Sequence, residues 1–241
     1  MRLDVYLCDI GLAASRTEAK GFILAGAVTV DGKVIKKPAY SFDVPPNTVA
    51  VDKSSKKYVS RGGLKLEAAI DAFGVSCEGR LAMDIGASSG GFTDCLLKHG
   101  AKHVVAIDSG TAQLVSSLLA DERVTSLENC NARYLTPGDI PYTPTLAVMD
   151  VSFISATYIM PAIYLCLADG GEFICLVKPQ FEVGKANIGK GGIVKDKRLR
   201  DEALAKVVSF GESLGFRFCG SIISPIEGGD GNVEFLAHFK K

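Results

Sequence analysis

Four charged side chains stand at the ends of runs that the apolar pattern predicts to be buried strands. Asp150 and Lys178 each directly follow such a run, Glu234 opens the last one, and Lys65 lies just after the predicted domain boundary. Pro179 stops the strand before it, so Lys178 must find a partner or water. Taken singly, each residue is more often an exposed or paired charge than a catalytic one. Together at one sheet edge, two amines and two carboxylates could orient a hydroxyl group and move its proton.

A glycine-rich segment over residues 84–92 forms a second candidate site, because it joins a predicted strand to a predicted helix. It departs from the dinucleotide pattern at Ser88, where that pattern needs a glycine beside a pyrophosphate. A ligand without a diphosphate, such as S-adenosylmethionine, suits the loop, and its cationic methionine end would favour a nearby carboxylate. The residues of this segment predicted to bind the cofactor are Asp84, Gly86, Ala87, Ser88, Gly90, Gly91 and Phe92.

Polar residues after the next strands extend the predicted cofactor site. Asp108 lies 22 positions after Gly86, the approximate spacing of a carboxylate that accepts ribose hydroxyls. Asn129 and Asn131 follow the third predicted strand, where they would meet an adenine edge, and Asp150 is included in the same site. The alternative interpretation is a structural glycine turn, with Asp108 capping the next helix.

Short apolar runs alternating with amphipathic segments predict an α/β fold with a largely parallel, seven-stranded sheet covered on both faces. Ligands of such sheets bind beyond the carboxyl ends of the strands. The predicted strands are 81–85, 103–107, 124–127, 145–149, 172–177, 216–224 and 234–240, and the predicted helices are 63–73, 91–98, 112–119, 154–167 and 199–214.

The first part of the chain predicts a small α+β domain over residues 1–55. A helix is expected over 2–11, and Ser15 and Glu18 form a capping box for a second helix that ends near Ala25. Asp31-Gly32 predicts a tight hairpin turn, and a further strand is expected over 48–51. A polar linker over 56–60 then separates this domain from one over 61–241.

Charge is distributed unevenly along a chain whose net charge is zero. Residues 1–65 carry 11 Lys+Arg against 6 Asp+Glu, whereas residues 66–241 carry 16 against 21. This imbalance favours a nucleic-acid contact at the N-terminus, although a solvated lysine-rich surface would look the same. A second basic run occupies a glycine-rich segment over 185–200. The predicted RNA-binding residues are Arg2, Arg16, Lys20, Lys33, Lys36, Lys37, Arg61, Lys185, Lys190 and Arg198.

Several classes of protein are disfavoured by composition. Seven cysteines without a C-x-x-C pair, and three histidines apart from them, predict reduced thiols in a cytoplasmic protein and no metal site. No apolar signal region opens the chain, and the longest apolar stretch, 154–168, is too short to span a bilayer. The sequence does not indicate an oligomeric state.

Motifs distributed along nearly the whole chain resemble those of the TlyA family of ribosomal RNA 2′-O-methyltransferases, historically called haemolysin-like proteins. The motifs are Ser60-Arg61-Gly62-Gly63, the 86–92 loop, Ser152-Phe153-Ile154-Ser155, the segment 177–185 and Gly231-Asn232-Val233-Glu234. The resemblance implies a small ribosomal-protein-like RNA-binding domain followed by a Rossmann-like, FtsJ-type class I methyltransferase domain. It also implies that Lys65, Asp150, Lys178 and Glu234 are a catalytic tetrad.

The implied reaction is methylation of a cytidine 2′-hydroxyl in ribosomal RNA, with a ribosomal subunit or its RNA as partner and S-adenosylmethionine as donor. The start and end of the chain resemble shorter family members, so we expect large-subunit RNA to be the substrate. Lys178 is the expected base. Lys65 would supply the cation that makes a neutral amine accessible, while Asp150 and Glu234 orient the amines. A cytolysin and a catalytically inactive RNA-binding assembly factor are the alternatives.

Overall fold

The computed structural model describes residues 1–24, 26–52, 57–228 and 231–241. The chain divides into two compact units, Met1–Arg61 and Gly62–Lys241. Residues 53–56, on which the predicted linker begins, lie outside the described residues, as does Ala25 at the expected end of the second helix.

The smaller unit is built from two helices and a three-stranded antiparallel sheet. The elements are α1 (Leu3–Asp9), α2 (Arg16–Leu24), β1 (Val28–Val30), β2 (Lys33–Val34) and β3 (Val49–Val51), with strand order β2-β1-β3. Asp31 (φ 46°) and Gly32 (φ 77°) both have positive φ, which confirms the predicted hairpin turn. The core of this unit includes Leu3, Leu7, Phe22, Ile23 and Val28.

The predicted cap of α2 is present in a slightly different form. The Ser15 hydroxyl accepts a hydrogen bond from the Glu18 amide at 3.2 Å, as expected. The Glu18 carboxylate accepts from the amide of Ala14 at 2.8 Å, one residue before the position of a standard capping box.

A buried carboxylate joins the two helices of the smaller unit. Asp4 is fully buried, and its oxygens accept hydrogen bonds from Arg2 at 2.9 Å and from Arg16 at 3.0 Å. The hydrogen bond from Arg2 is the largest cause that lowers the pKa of Asp4, to about 2. Two of the cations predicted to bind RNA therefore already serve to neutralise a buried charge.

The larger unit is a seven-stranded sheet with helices between its strands, which confirms the predicted fold class. Its strands are β4 (Leu81–Ile85), β5 (His103–Ile107), β6 (Val124–Leu127), β7 (Leu146–Met149), β8 (Glu172–Val177), β9 (Arg217–Ile223) and β10 (Phe235–Lys240). Its helices are α3 (Gly62–Phe73), α4 (Gly91–Lys98), α5 (Ser116–Leu119), α6 (Met160–Cys166) and α7 (Lys197–Leu214). The strand order is β6-β5-β4-β7-β8-β10-β9, with only β10 antiparallel to its neighbours.

This strand order reverses direction between β4 and β7. The chain moves outward from β4 through β5 to β6, then returns to place β7 on the other side of β4. The crevice beyond the carboxyl ends at such a point is the usual ligand site of an open α/β sheet. The central strands β7 and β8 are almost wholly buried, whereas the edge strand β9 alternates between exposed and partly buried residues. Phe173, Phe216 and Phe239 pack together in the core.

Two predicted helices are shorter than the sequence pattern indicated. The helix expected over 112–119 begins only at Ser116, since Ala112 has a φ of 53° and interrupts helical geometry. The helix expected over 154–167 begins at Met160 and follows a separate 3₁₀ turn at Ala156–Tyr158.

All seven cysteines are free thiols; Cys219 is exposed, Cys8 and Cys130 are partly exposed, and the other four are buried. Within the described ranges, no group of His, Cys, Asp or Glu side chains is arranged to hold a metal ion. In the same part of the chain, no helix is both long and apolar enough to cross a membrane.

We expect Asp4→Asn to lower the free energy of unfolding of the smaller unit by about 1–3 kcal/mol, the scale of hydrogen bonds to charged groups. Because folding lowers the pKa of this carboxyl, the wild-type contribution is present above the unfolded pKa and is lost as pH falls from about 4 to about 2. Amide hydrogen exchange in α1 at pH 7 and under acid measures both effects. Asp9→Asn, an exposed position on the same helix, is the matched control, and equal exchange in the two variants would contradict this role of Asp4.

Candidate active site

The two segments that leave β4 and β7 meet at the reversal point of the sheet. Gly86 has a φ of 79°, and a Cβ added there would lie 2.5 Å from the main-chain oxygen of Asp150. The Asp150 amide in turn donates to the carbonyl of Ile85 at 2.9 Å. Gly86 is thus required by the close approach of the protein's own chain, a physical reason different from the ligand approach expected of the loop.

Asp84 places a carboxyl inside the sheet beneath this crevice. It is fully buried, and Oδ2 accepts a hydrogen bond from the Thr93 hydroxyl at 2.7 Å. Burial raises the pKa of Asp84 to about 7 against the effect of that hydrogen bond, and the negative charge of Asp150 adds to the rise. In the described part of the chain no donor reaches Oδ1. A buried carboxyl with an unused oxygen fits a ligand that carries positive charge.

The glycine loop is held from its far side by Asp108. The amide of Ser88, a residue with a φ of 47°, donates to Asp108 Oδ2 at 2.8 Å, and the amide of Gly110 donates to Oδ1 at 2.7 Å. Asp108 therefore links two loops rather than capping α5, which starts eight residues later. Each carboxylate oxygen keeps a further lone pair, so the same group can still accept a ligand hydroxyl.

The remaining predicted cofactor residues divide into buried and exposed groups. Ala87, Gly90, Gly91 and Phe92 are buried, and a Cβ at Gly90 (φ 94°) would overlap the side chains of Leu114 and Leu118. These residues shape the turn into α4.

Asn129 and Asn131 are exposed, and their side chains have local partners. Asn129 Oδ1 accepts from the Thr111 hydroxyl at 2.8 Å, while Asn131 Oδ1 accepts from the Arg133 amide at 3.1 Å and caps a 3₁₀ turn. Contact of either residue with adenine remains a prediction.

The four members of the predicted tetrad form two lysine–carboxylate pairs. Lys65 Nζ on α3 lies 2.5 Å from Glu234 Oε2, with both side chains buried. Lys178 Nζ lies 2.6 Å from Asp150 Oδ1.

The sheet brings the two pairs to the same edge. Val177 is in register with Phe235, so Lys178 and Glu234 lie just beyond one pair of adjacent strands, and Asp150 directly follows the neighbouring β7. Each amine therefore lies beside a carboxylate, and the Lys65 amine also donates a hydrogen bond to it.

Four residues were not singled out from the sequence, although all lie in or beside motifs noted there. Ser152 Oγ accepts a hydrogen bond from Lys178 Nζ at 2.8 Å. Phe153, with a φ of 66°, is 92% exposed next to it. Asn232 holds the glycine-rich basic segment through the Val194 amide and the Gly192 carbonyl, each at 2.9 Å.

Glu182 is the fourth of these residues and joins the loops after β7 and β8. Its buried carboxylate accepts from the Ser155 hydroxyl at 2.6 Å, the Ala156 amide at 2.8 Å and Lys206 Nζ at 2.9 Å. A buried carboxylate four residues after Lys178 was the available signal, but its partners are too distant in sequence to be inferred from spacing.

The residues predicted to bind RNA are all exposed. Arg2 and Arg16 are paired with Asp4, as described above, and Arg198 lies 3.6 Å from Glu202 on α7. The other seven predicted RNA-binding residues, which are likewise exposed, are Lys20, Lys33, Lys36, Lys37, Arg61, Lys185 and Lys190.

Comparisons with known proteins agree with this division of the chain. Residues 1–44 match the S4 domain, and residues 58–241 match the FtsJ-like methyltransferase family. The 16S/23S rRNA (cytidine-2′-O)-methyltransferase TlyA of Mycobacterium tuberculosis is 44% identical, over 98% of this chain and 88% of that protein. The chain belongs to the FtsJ-like methyltransferases and, among them, to the TlyA family, with an S4 domain at its N-terminus.

Solved structures show the same fold. A candidate hemolysin from Streptococcus thermophilus matches all of this chain and 88% of its own, with a TM-score of 0.79 and 45% identity. An S-adenosylmethionine-dependent methyltransferase from Mesorhizobium loti matches 72% of this chain and 96% of its own at a TM-score of 0.53 and 16% identity, a likeness of fold alone.

Proposed function

We propose that the protein transfers a methyl group from S-adenosylmethionine to the 2′-hydroxyl of a cytidine in ribosomal RNA. The observation that carries this proposal is the pair of lysine–carboxylate contacts, Lys65–Glu234 and Lys178–Asp150, at the sheet edge that also holds the glycine loop. Nearly full-length similarity to an enzyme named for this reaction supports the same substrate class.

The residues around the reversal point fit the proposed cofactor. S-adenosylmethionine, when bound, supplies a methyl group on a sulfonium, which is electrophilic and positively charged. Asp84 offers a buried carboxyl with an unused oxygen for the cationic end, and Asp108 offers free lone pairs for ribose hydroxyls. Ser88 keeps the exposed side of the loop polar without the space that a diphosphate would need.

Lys178 is the proposed base for the ribose hydroxyl. Lys178 Nζ donates a hydrogen bond to Ser152 Oγ at 2.8 Å and lies 2.6 Å from Asp150 Oδ1, a contact made by charge and proximity rather than by a hydrogen bond. We propose that the 2′-hydroxyl approaches this amine and that the neutral form of the lysine accepts its proton. Fixing the direction of this amine also aligns the attacking oxygen, and such positioning contributes a large part of the rate in many transfer reactions.

Lys65 and Glu234 are proposed to hold the other side of the reacting ribose. Their contact is buried, so the ammonium group is directed rather than mobile. Phe153 offers an exposed ring beside Ser152 that could stack on the base of the target nucleotide.

RNA affinity is proposed to come from the exposed cations, because phosphate contacts dominate the strength of such binding. The domain limits predicted from the sequence, 1–55 and 61–241, are proposed as the RNA-binding and catalytic domains. Because the proposed substrate is ribosomal RNA, we also propose a cytoplasmic location.

The test of this function is methyl transfer from labelled cofactor to small subunits, large subunits and naked ribosomal RNA, followed by mapping of the modified nucleotide. A labelled cytidine 2′-oxygen supports the proposal, and the labelled subunit tests the expectation of large-subunit RNA. Absence of transfer with intact RNA binding would favour an inactive assembly factor, and dye leakage from liposomes would favour a cytolysin.

We expect Lys178→Ala to lower turnover at saturating substrate at least tenfold while cofactor affinity changes less than about threefold, since efficient general bases contribute about 10²-fold or more. Single-turnover methylation and calorimetry measure the two quantities. Lys102→Ala, at an exposed position before β5, is the matched control. Retention of more than a tenth of wild-type turnover would exclude Lys178 as the base.

We expect Asp108→Ala to weaken binding of the cofactor by about 1–3 kcal/mol, because it removes a charge-assisted acceptor and releases the loop amides of Ser88 and Gly110. Titration calorimetry with S-adenosylmethionine measures the loss. Glu122→Ala, which removes an exposed carboxylate, controls for the change of charge. Unchanged affinity would remove Asp108 from the ribose site.

If about three of Lys20, Lys33, Lys36 and Lys37 contact phosphate, we expect replacement of all four by Ala to reduce the slope of log RNA affinity against log salt by about 2–3 units. Each phosphate contact contributes about 0.7–0.9 to that slope, and Arg2 and Arg16 are left in place because they hold Asp4. Filter binding across a salt series measures the slope, with cofactor binding as the control for folding. Parallel lines for the variant and wild type would instead make residues 185–200 the main RNA contact.

A further inference from the structure

Two exposed tyrosines flank an arginine on the larger unit. Tyr134 is 69% exposed and Tyr158 is 55% exposed. The guanidinium carbon of Arg133 lies 5.7 Å from the ring centre of Tyr134 and 4.9 Å from that of Tyr158. We refer to these three side chains as the aromatic platform.

The platform is fixed by two capped 3₁₀ turns. Arg133 and Tyr134 belong to the turn Ala132–Tyr134, whose cap is the Asn131 side chain. Tyr158 ends the turn Ala156–Tyr158, whose cap, Ser155, donates to the buried carboxylate of Glu182 at 2.6 Å. Side chains held by such turns lose less conformational entropy when a ligand binds.

The platform lies on the functional side of the sheet. Its two turns follow β6 and β7, at the carboxyl ends of both strands. The segment that bears Tyr158 begins at Asp150, which contacts Lys178. A nucleic acid that brings its ribose to this edge would extend across neighbouring loops of the same edge.

The charge of the platform favours an anionic partner. None of the ion pairs among the described residues includes Arg133. Residues 62–241 as a whole carry 17 Lys+Arg against 21 Asp+Glu, so this cation stands in an otherwise acidic unit. Planar guanidinium and phenol groups stack on nucleobases of any sequence.

We propose that the aromatic platform stacks an unpaired nucleobase of the substrate RNA that neighbours the target nucleotide. The proposal deepens the function proposed above, because it names single-stranded RNA next to the modified position as the element that this surface recognises. Arg133 would contact the adjacent phosphate or stack with the tyrosines, and the two rings would supply the faces.

The experiment compares binding of a fluorescent single-stranded RNA of mixed sequence with binding of a duplex of the same length. Tyr134→Ala and Tyr158→Ala should each weaken single-strand affinity by about 5- to 100-fold, the scale of one base–aromatic stack, and leave duplex affinity unchanged. Tyr134→Phe and Tyr158→Phe keep the rings and should stay within about twofold of wild type. Leu165→Ala, at an exposed apolar position on α6, controls for loss of apolar surface.

The outcomes separate this proposal from the proposed reaction, because binding is measured without methyl transfer. Alanine variants that bind the single strand as wild type does would overturn the platform, as would a wild-type protein that binds only duplex or neither RNA. If methyl transfer were still observed in that case, the proposed reaction would stand without the platform. If the alanine variants lost binding to a protein partner but not to RNA, the surface would be assigned to that protein.

Discussion

The chain beyond β4 and the chain beyond β7 pass so closely that position 86 has no room for a side chain. This approach is possible because the sheet reverses its order between these strands, which leaves their ends as direct neighbours. It fixes the start of the glycine loop and the start of the segment containing Asp150 against each other. The proposed cofactor site and the Lys178–Asp150 pair therefore depend on one main-chain contact.

Carboxylates organise the loops around this contact; Glu182 and Asp84 are buried, and Asp108 is partly buried. Glu182 ties the segment after β8 to the segment after β7, and Asp108 ties the glycine loop to the segment after β5. Asp84 differs from both, because one of its oxygens has no donor and burial raises its pKa. A nearby cation would favour its ionised form, so deprotonation of Asp84 and binding of a cationic ligand are coupled.

The order of elements was predictable because strand runs are short, apolar and bounded by polar residues. The start of α4 was also predicted, but the starts of α5 and α6 were not, since they depend on tertiary contacts. Ala112 has a positive φ before α5, where Leu114 is buried beside Gly90, and Glu182 accepts a hydrogen bond from the Ala156 amide in the turn before α6. Residue types there suited a helix, but distant partners decided the local structure.

The candidate site was predictable to a similar degree. Charged residues at strand ends could be assigned to one edge because parallel strands end there together. The pairing of these charges could not be predicted from the sequence, because Lys65 and Glu234 are 169 positions apart and meet only through the fold. Arg2 and Arg16 show that a prediction from charge alone can also assign a role too readily. A basic N-terminus suggests RNA binding, yet these two cations neutralise Asp4.

The lysine–carboxylate pairing of the tetrad also indicates which groups serve reactivity and which serve affinity for RNA. Each tetrad lysine has a carboxylate within 2.6 Å, so the four groups together carry no net charge when ionised. Such a set attracts neither phosphate nor cation over long distances. Its contribution to a reacting hydroxyl is the fixed position of the lysine and carboxylate groups. Attraction for RNA must therefore come from groups outside the tetrad. For the proposed function, the groups with the charge to supply it are the cations of the smaller unit, the basic segment over 185–200 and Arg133, which forms no ion pair with a described carboxylate.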